Sequence, residues 1–435
     1  MLKVLIVAQG SLASRYGGGQ IYVLNLVREM VRQNVELFIL STTLNKVGKI
    51  SQSKINMDGV DVTEFHLKYT NKKDPERQVR DVLQKVRPDI IHANSLKEVI
   101  TQVCQDENIP CIVTAHHGGI VCPQGALLNP LDEICSIRAT HNDCLPCVLR
   151  NFRGGNYFYK FYRYLPLSTR LTLGRVIAKL PFIYFITPWF SVSLSIQQKK
   201  IEWENICKNA TILIAPSEAM KVAMIRNGAD PEKVRVVRHG IPLLKRESVP
   251  DNYNNRPVRF IYLGRINRVK GLHILLNAFS RLKGQAEITI IGGAVTHEEI
   301  RYQKMLKKNY NQLNIIWTGN LSHDKISEQI IKGDVMVHPA LFLEVYGLTI
   351  AESISAGRPV IATRCGGPEM QIQDGVNGYL VEPNNTTALT ERMQYLVDHP
   401  EEIIRLAENI QQPISIEQHV QELFGIYQSL IKTTV

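Results

Sequence analysis

Residues 3–33 have the sequence KVLIVAQGSLASRYGGGQIYVLNLVREMVRQ, in which an apolar run precedes a glycine-rich loop and an amphipathic stretch. A short apolar run followed by a helical period is the beginning of a βαβ unit. Similar alternation continues through VELFILST, a charged helical stretch near residues 77–86, PDIIHANS and PCIVTAHH, and it resumes at ATILIAPSEAM. This pattern predicts an α/β fold with a parallel sheet covered by helices.

A second alternation follows a polar stretch at residues 245–256, which contains Pro250 and three Asn. Its predicted strands are VRFIYLG, EITIIGG, NIIWTG, DVMVHP and RPVIATR. The 435 residues exceed the roughly 250–300 residues at which a single core stops growing. We therefore predict a first domain at 1–244, a linker at 245–256, a second domain at 257–413 and a C-terminal helix within 414–435 that crosses back to the first domain. Two doubly wound domains bind ligands at the carboxyl ends of their strands.

The composition is that of a soluble globular protein, with 44% hydrophobic and 21% charged residues. The N-terminal apolar run is short for a secretory signal and suits a buried strand. Eight Cys in so long a chain do not resemble a secreted disulfide scaffold. A cytoplasmic protein is therefore expected.

An irregular insertion at 118–207 interrupts the first alternation. Between Arg150 and Lys208 there are ten Lys/Arg against two Glu, together with 13 of the 31 Phe, Tyr and Trp residues. Such a mixture suits a membrane interface, and a helical hairpin packed on the first domain is the alternative. The uncharged run from Leu180 to Gln198 contains Pro181 and Pro188 and is too short and interrupted to predict a transmembrane helix.

Three segments of the second half carry the predicted chemistry, and the first is YLGRINRVKG. A strand is expected to end at Gly264, which places Arg265 and Lys270 in the loop that follows. Two cations at a strand's carboxyl end suit a diphosphate. Solvated loop cations are the alternative.

The second segment is HPALFLEVYGLTIAE. Gly347 and Leu348 are expected to begin a helix, whose free N–H groups attract an anion. Glu344, in the preceding loop, could accept hydrogen bonds from sugar hydroxyls, and Glu352 could accept those of a ribose. The alternative is a helix that carries two solvated Glu.

The third segment is ATRCGGPEMQIQDGVNGYLVEP. A strand is expected to end near Thr363, after which Gly366-Gly367 would let the backbone approach a ligand closely. Asp374-Gly375 and Asn377-Gly378 predict tight turns.

Together these segments resemble the retaining glycosyltransferases of the GT-B fold, in particular glycosyltransferase family 4. EVYGLTIAE has that family's E-x7-E spacing, and the blocks before and after it also match. The resemblance implies two facing Rossmann-like domains with a cleft between them. It also implies a nucleotide-sugar donor with UDP or GDP, and no required cofactor. The residues implied to bind the donor in this half are Gly264, Arg265, Lys270, Glu344, Tyr346, Gly347, Leu348, Thr349 and Glu352, with Arg265, Lys270 and Glu344 serving catalysis.

In the first half, VAQGSLASRYGGGQIYVLNLVREM resembles the family's opening loop and helix. Gly18 and Gly19 would then approach the donor diphosphate. His116 matches a catalytic-site His that points into the cleft. The adjacent His117 stands where many relatives have Asp, so which of the two faces the donor stays open.

The resemblance further implies front-face attack with retention of configuration, without a covalent intermediate. The expected acceptor is a glycan or a polyprenyl-linked glycan of cell-envelope polysaccharide or glycolipid biosynthesis, with peripheral association at the cytoplasmic face of the inner membrane. No nucleic-acid partner is expected. An epimerase-like enzyme acting on sugar nucleotides and a catalytically silent binding protein are the alternatives.

The first part of the insertion, residues 118–151, contains four cysteines: Cys122, Cys135, Cys144 and Cys147. Cys144 and Cys147 form a C-x2-C pair of the kind that binds structural zinc. Reduced, partly buried thiols are an equally open interpretation, and a disulfide is a third.

Overall fold

The computed structural model describes residues 2–12, 17–33, 35–44, 50–69, 75–150, 152, 154–180, 187–250, 253 and 256–432. The chain forms two compact units. The first comprises residues 1–130, 136–240 and 416–435, and the second comprises 131–135 and 241–415. Residues 13–16 of the glycine-rich loop, and Pro181 of the uncharged run, lie outside the described residues.

The first unit is built on a sheet with the order β3-β4-β2-β1-β5-β6-β7-β8 among the described residues. Its strands are β1 (Lys3–Gln9), β2 (Glu36–Leu44), β3 (Ser51–Met57), β4 (Val60–Tyr69), β5 (Ile90–Ala93), β6 (Cys111–Thr114), β7 (Ile212–Ala215) and β8 (Val234–Val236). The described helices are α1 (Gly18–Arg32), α2 (Pro75–Val86), α3 (Lys97–Asp106), α4 (His141–Leu149), α5 (Gly155–Tyr162), α6 (Leu167–Ile177), α7 (Thr187–Asn209), α8 (Glu218–Arg226) and α15 (Ile416–Lys432). Strands β5, β6 and the apolar part of β1 are buried because helices cover the sheet.

The β3–β4 hairpin is the one antiparallel pair in this described sheet, and it was not predicted from the sequence. Asp58 and Gly59 connect the two strands, and both have a positive φ, 51° and 91°. A two-residue connection of this kind matches the twist of the strands. The Asp-Gly pair was therefore a usable signal.

The insertion folds into helices α4 to α7 around a small apolar cluster of its own. Leu145, Leu149, Tyr162, Val192 and Ile196 are buried in it. Helix α7 also packs on α3, and Asn205 donates to Glu98 across this contact at 2.9 Å. The insertion is thus attached to the sheet-bearing part of the first unit.

Helix α15 belongs to the first unit and packs on α1. The hydroxyl of Tyr22 lies 2.8 Å from Nε2 of His419, and the hydroxyl of Tyr427 lies 2.7 Å from Nδ1 of His92. All four side chains are buried. The C-terminal helix is therefore joined to α1 and β5 by polar contacts inside the core.

The second unit has a sheet in the order β11-β10-β9-β12-β13-β14, parallel throughout its described strands. These strands are β9 (Val258–Leu263), β10 (Ala286–Ile291), β11 (Ile315–Gly319), β12 (Val335–His338), β13 (Val360–Thr363) and β14 (Gly378–Val381). The helices are α9 (Leu272–Phe279), α10 (His297–Asn309), α11 (His323–Lys332), α12 (Leu348–Ser355), α13 (Thr386–Asp398) and α14 (Glu401–Glu408). Five of these strands match the predicted ones, and β14 was missed.

Gly378 begins β14, so the tight turn expected at Asn377-Gly378 is displaced. Gly375 has the left-handed φ of +74°, whereas Gly378 does not have a positive φ. A Cβ at Gly378 would lie 2.4 Å from the carbonyl oxygen of Val360 on the adjacent strand. Close strand approach, and not turn conformation, accounts for glycine there.

Candidate active site

The three predicted segments of the second unit meet at one edge of its sheet. Strands β9, β12 and β13 are neighbours, and because parallel strands end on the same side, their following loops are adjacent. Backbone hydrogen bonds join these loops: for example, Leu341 donates to Val269 at 2.9 Å, and Glu344 donates to Cys365 at 2.8 Å. The structure thus brings together residues separated by more than seventy positions in the sequence.

Lys270 and Glu344 form an ion pair at the centre of this edge. The ammonium lies 2.6 Å from Oε2 of Glu344, and Nε2 of His338 lies 3.4 Å from the same oxygen. Burial alone would raise the pKa of the Glu344 carboxyl, but Lys270 and His338 together hold it well below its ordinary value. Glu344 is therefore a fixed carboxylate at neutral pH.

Lys270 is held in place by its surroundings. Its backbone N–H donates to the side chain of Asn267 at 3.0 Å, and its ammonium lies 4.8 Å from the centre of the Phe342 ring. The next residue, Gly271, has a φ of +73°, and a Cβ there would lie 1.8 Å from the carbonyl oxygen of Pro339. Only glycine allows this approach, which sets the position of Lys270 against the loop that carries Glu344.

Helix α12 begins directly after this loop. Its N-cap, Gly347, has a left-handed φ of +87° and supplies no side-chain cap. The first-turn N–H groups of Leu348 and Thr349 therefore point out of the helix, and Gly347 has no side chain to cap them. Tyr346 itself is buried, and its carbonyl accepts from Gln371 at 2.5 Å. A helix start of this kind favours an anion or a hydroxyl oxygen.

The glycine pair after β13 packs against this helix start. A Cβ at Gly367 would lie 2.4 Å from the carbonyl oxygen of Tyr346, and Gly367 donates its N–H to Glu344 at 2.7 Å. Glycine at 367 is thus explained by backbone packing within the protein. This differs from the prediction from sequence, in which the close approach was to a ligand.

Glu352 lies one turn into α12 and is partly buried. Burial raises the pKa of its carboxyl to about 7. Within the described residues no cation pairs with it. Glu344, in contrast, is paired with a cation. Glu352 therefore suits a ligand that supplies hydrogen-bond donors, such as hydroxyl groups.

Arg265 has an internal partner that the sequence analysis did not predict. Its Nε lies 2.7 Å from Glu299, and its side chain remains 49% exposed. Glu299 also accepts from the backbone of Val295 and Thr296 at the start of α10, in a capping box with Thr296. The Thr-x-x-Glu pattern before α10 was a readable signal for this carboxylate. Gly264, immediately before Arg265, joins β9 to this loop.

Glu369 also has a structural role that was not predicted from the sequence. Its carboxylate accepts hydrogen bonds from the backbone N–H groups of Cys365 and Gly366, the latter at 2.9 Å. It stabilises the loop that contacts Glu344. A Glu two residues after a Gly-Gly pair is a local signal for such a contact.

The first unit has a cavity of about 510 Å³. Its lining includes Gly17–Gly19, Asn94, Lys97, His116 and His117. Gly18 and Gly19 open α1, whose N-cap Gly17 supplies no side-chain cap. Burial lowers the pKa of Lys97 to about 8, so its ammonium is sensitive to an anion placed in the cavity.

The two adjacent histidines have different contacts. Nε2 of His116 donates to Asn94 at 2.7 Å, and its Nδ1 is buried without a hydrogen-bond partner in the described part of the chain. His117 accepts from the N–H of Gly119 at 3.0 Å and caps a short 3-10 helix. Burial lowers the pKa of both, that of His117 to about 4. The neutral His116 therefore retains an acceptor nitrogen, while that of His117 is used internally.

The cysteines of the insertion do not gather into a recognisable metal site. No group of three or more His, Cys, Asp or Glu suited to a metal occurs among the described residues. Cys144 and Cys147 both lie on α4, and Cys122 is buried. Cys135 falls in the short segment that belongs to the second unit. The described residues therefore offer no set of ligands for the structural zinc that the C-x2-C pair suggested.

Two family models match the chain. The model for glycosyl transferases group 1 matches residues 245–412, and the model for glycosyltransferase family 4 matches residues 16–142. Together they cover more than half of the chain, including both histidines and every predicted residue of the second unit. The chain belongs to the group 1 and family 4 glycosyltransferases.

Individual relatives of this glycosyltransferase match it over shorter stretches. A sucrose synthase from Acidithiobacillus caldus is 38% identical over 147 residues, which are 30% of this chain and 18% of that protein. The O-antigen chain mannosyltransferase C from Escherichia coli is 30% identical over 196 residues, which are 43% of this chain and 49% of that protein. The matched part therefore spans half or less of these relatives' own length.

A solved structure supports the fold of this glycosyltransferase over nearly its whole length. The Anabaena protein Alr3699/HepE, in complex with UDP-glucose, aligns with 99% of this chain and 100% of its own, at 17% identity and a TM-score of 0.66. The predicted GT-B fold is confirmed. No described helix of this glycosyltransferase is both long and apolar enough to span a membrane.

Proposed function

We propose that this glycosyltransferase moves a sugar from a UDP- or GDP-sugar to a glycan or lipid-linked acceptor, with retention of configuration and without a required metal. The observation that carries the proposal is the Lys270–Glu344 pair beside the open first turn of α12. A cation and free N–H groups suit the diphosphate, and a fixed carboxylate next to them suits sugar hydroxyls.

The leaving group determines how the reaction is assisted. As the bond between the anomeric carbon and the diphosphate breaks, negative charge grows on the diphosphate oxygens. Lys270 and the N–H groups of Leu348 and Thr349 would stabilise that charge. The half-exposed Arg265 would join them by turning from Glu299 to the ligand. The chain has no Asp-x-Asp run of the kind that holds a catalytic metal.

The configuration of the anomeric carbon is retained because the acceptor attacks the same face of the sugar that the diphosphate leaves. The acceptor oxygen bonds to the anomeric carbon, and its proton passes to a diphosphate oxygen of the departing nucleotide, so no covalent sugar–enzyme intermediate forms. Glu344 is engaged by both Lys270 and His338, which favours a role in hydrogen bonding over one as a nucleophile. Glu352 would accept from the ribose.

The first unit would supply the acceptor side. His116 has a neutral ring and a vacant acceptor nitrogen beside the cavity, which suits a hydroxyl of the donor sugar or the acceptor. Gly18 and Gly19 would present backbone N–H groups to the diphosphate. The mannosyltransferase and glycosyltransferase relatives favour cell-envelope polysaccharide or glycolipid biosynthesis. We place the enzyme at the cytoplasmic face of the membrane, as a peripheral protein.

Thermal unfolding in the presence of sugar nucleotides tests the donor assignment. A ligand that binds only the folded state raises the unfolding temperature. A panel of UDP- and GDP-sugars should contain at least one that stabilises the wild type but not Lys270→Ala. Absence of stabilisation by every member, or equal stabilisation of both proteins, would contradict the proposed site.

A further inference from the structure

Helix α5 has aromatic side chains on both of its faces. On the inner face, Phe158 and Tyr162 pack on the apolar cluster of the insertion, with their rings 4.6 Å apart. On the outer face, Tyr157 is 74% exposed and Phe161 is 79% exposed, and Tyr164, just beyond the helix, is 74% exposed. A water-facing helix surface is normally polar. The outer face is therefore not explained by the fold.

The exposed aromatic residues follow a helical period. Tyr157, Lys160, Phe161 and Tyr164 are spaced by three, one and three residues, which places them on one side of the helix. Tyr157, Phe161 and Tyr164 are the three most exposed large hydrophobic residues of the described chain. Their concentration on a single helix face is typical of an interaction surface.

The charge around this face has one sign. Residues 144–201 contain nine Lys or Arg and no Asp or Glu. Lys160 lies on the outer face itself, with its ammonium 5.8 Å from the centre of the Tyr157 ring, and the guanidinium of Arg163 lies 4.7 Å from that of Tyr164. Cations held beside exposed aromatic rings suit an interface in which apolar groups and anionic groups occur together.

Helix α6 extends the basic character. Helices α5 and α6 are neighbours because both approach the carbonyl oxygen of Phe190 on α7. Tyr162 of α5 donates to this oxygen at 3.2 Å, and a Cβ at Gly174 of α6 would lie 2.8 Å from it. On α6 and just after it, Arg175 and Lys179 are exposed. Val176 and Leu180 beside them are also exposed, at 52% and 46%.

We propose that the outer face of α5, with the basic residues of α6, docks this enzyme on an anionic lipid bilayer. The aromatic rings would enter the interfacial region while Lys160, Arg163, Arg175 and Lys179 contact the lipid head groups. The inference deepens the proposed function, because a lipid-linked acceptor requires the enzyme at a membrane surface. A bilayer accounts for the exposed aliphatic Val176 and Leu180 as well as for the aromatic rings and the cations, whereas a nucleic acid would stack its bases on the rings but would leave the aliphatic side chains unexplained.

Vesicle co-sedimentation of the full chain, without donor or acceptor, tests the proposal. Wild type should bind vesicles of equal parts phosphatidylglycerol and phosphatidylcholine, bind pure phosphatidylcholine much less, and dissociate with added salt. Equal binding to both vesicle types would overturn the anionic requirement. Binding to single-stranded DNA as tight as to the anionic vesicles would overturn the choice of a bilayer.

The aromatic contribution is tested by the triple variant Tyr157→Ser, Phe161→Ser, Tyr164→Ser. Its vesicle affinity should fall at least about tenfold, while its circular dichroism and unfolding temperature stay unchanged because the three side chains are exposed. The matched control replaces three exposed apolar residues of the second unit by Ser, namely Val295, Met305 and Ile316. An equal loss in the control, or none in the α5 variant, would overturn the proposal.

The charge contribution is tested by Lys160→Glu, Arg175→Glu, Lys179→Glu, for which the affinity should fall on the order of a hundredfold. The control reverses three exposed cations of α10, namely Arg301, Lys304 and Lys308. Retained binding in the first variant would contradict the surface. Donor-induced thermal stabilisation should persist in every α5 and α6 variant, so a failed docking surface can be distinguished from a failed donor site.

Discussion

The two carboxylates eight positions apart, Glu344 and Glu352, show how local surroundings set different chemistry at the scale of single residues. Lys270 and His338 keep Glu344 ionised despite its burial. Among the residues that the structure describes, no cation pairs with Glu352, and burial raises the pKa of its carboxyl to about 7. Their spacing in the sequence predicted a joint role in donor binding, but it could not predict that only Glu344 would be fully ionised at neutral pH in the free protein.

Donor affinity should therefore depend on pH through Glu352. A carboxylate accepts two ribose hydroxyls, whereas the protonated acid must give up one acceptor position. Because the pKa of Glu352 is near 7, affinity for a sugar nucleotide should rise by up to about tenfold from about pH 6 to about pH 8. Isothermal titration calorimetry measures this. The variant Glu352→Gln should bind more weakly and without that slope, and an unchanged slope would exclude Glu352 as its source.

Gly367 gives a second prediction at this scale. In Gly367→Ala the new methyl group would lie 2.4 Å from the carbonyl oxygen of Tyr346, so the helix start must shift. We expect a loss of about 1–3 kcal/mol in the free energy of unfolding and weaker donor binding. Gly425→Ala is the control, since no atom lies within 4 Å of the added group. Equal behaviour of both variants in urea unfolding would contradict the packing argument.

At the scale of elements, α15 is joined to the first unit by buried histidines. His419 contacts Tyr22, and His92 contacts both Tyr427 and Thr114. Burial lowers the pKa of His92 to about 3 and that of His419 to about 4. The rings of His116 and His239 lie nearby, and burial lowers their pKa values too.

This cluster should make the protein acid-sensitive. The unfolded chain binds protons near the ordinary histidine pKa of about 6.5, while the folded chain does not, so the free energy of unfolding decreases as pH falls below that value. Each histidine contributes up to about 1.4 kcal/mol per pH unit. Urea unfolding at successive pH values measures the slope. His419→Gln should lower the slope by one histidine's share, and a stability that rises toward pH 5 would contradict the account.

Strands β12 and β13 were predicted well because they are short apolar runs between helices, and burial on both faces accounts for them. Strand β3 was missed because it lies at the sheet edge and its side chains are mostly exposed. The helix start at Gly347 could be predicted, because a glycine directly before an apolar helical period is a local signal for an N-cap.

At the scale of the whole molecule, the sequence could predict two Rossmann-like sheets and the loops that meet at their carboxyl edges. It could not predict partners that come from distant positions. The Arg265–Glu299 pair, the Lys270–Glu344 pair and the Tyr22–His419 bond each join residues that no sequence spacing relates. These contacts decide which predicted cations are available and which carboxylate is fixed.

The central claim, that Lys270 and Glu344 form the donor site, is tested most directly by the release of nucleoside diphosphate from a stabilising sugar nucleotide, with and without an acceptor. We expect turnover to fall at least about a hundredfold in Lys270→Ala and in Glu344→Ala. Lys54→Ala, which removes an exposed lysine paired with Asp61, should keep the wild-type rate. Wild-type turnover in either site variant, with the fold intact, would contradict the assignment.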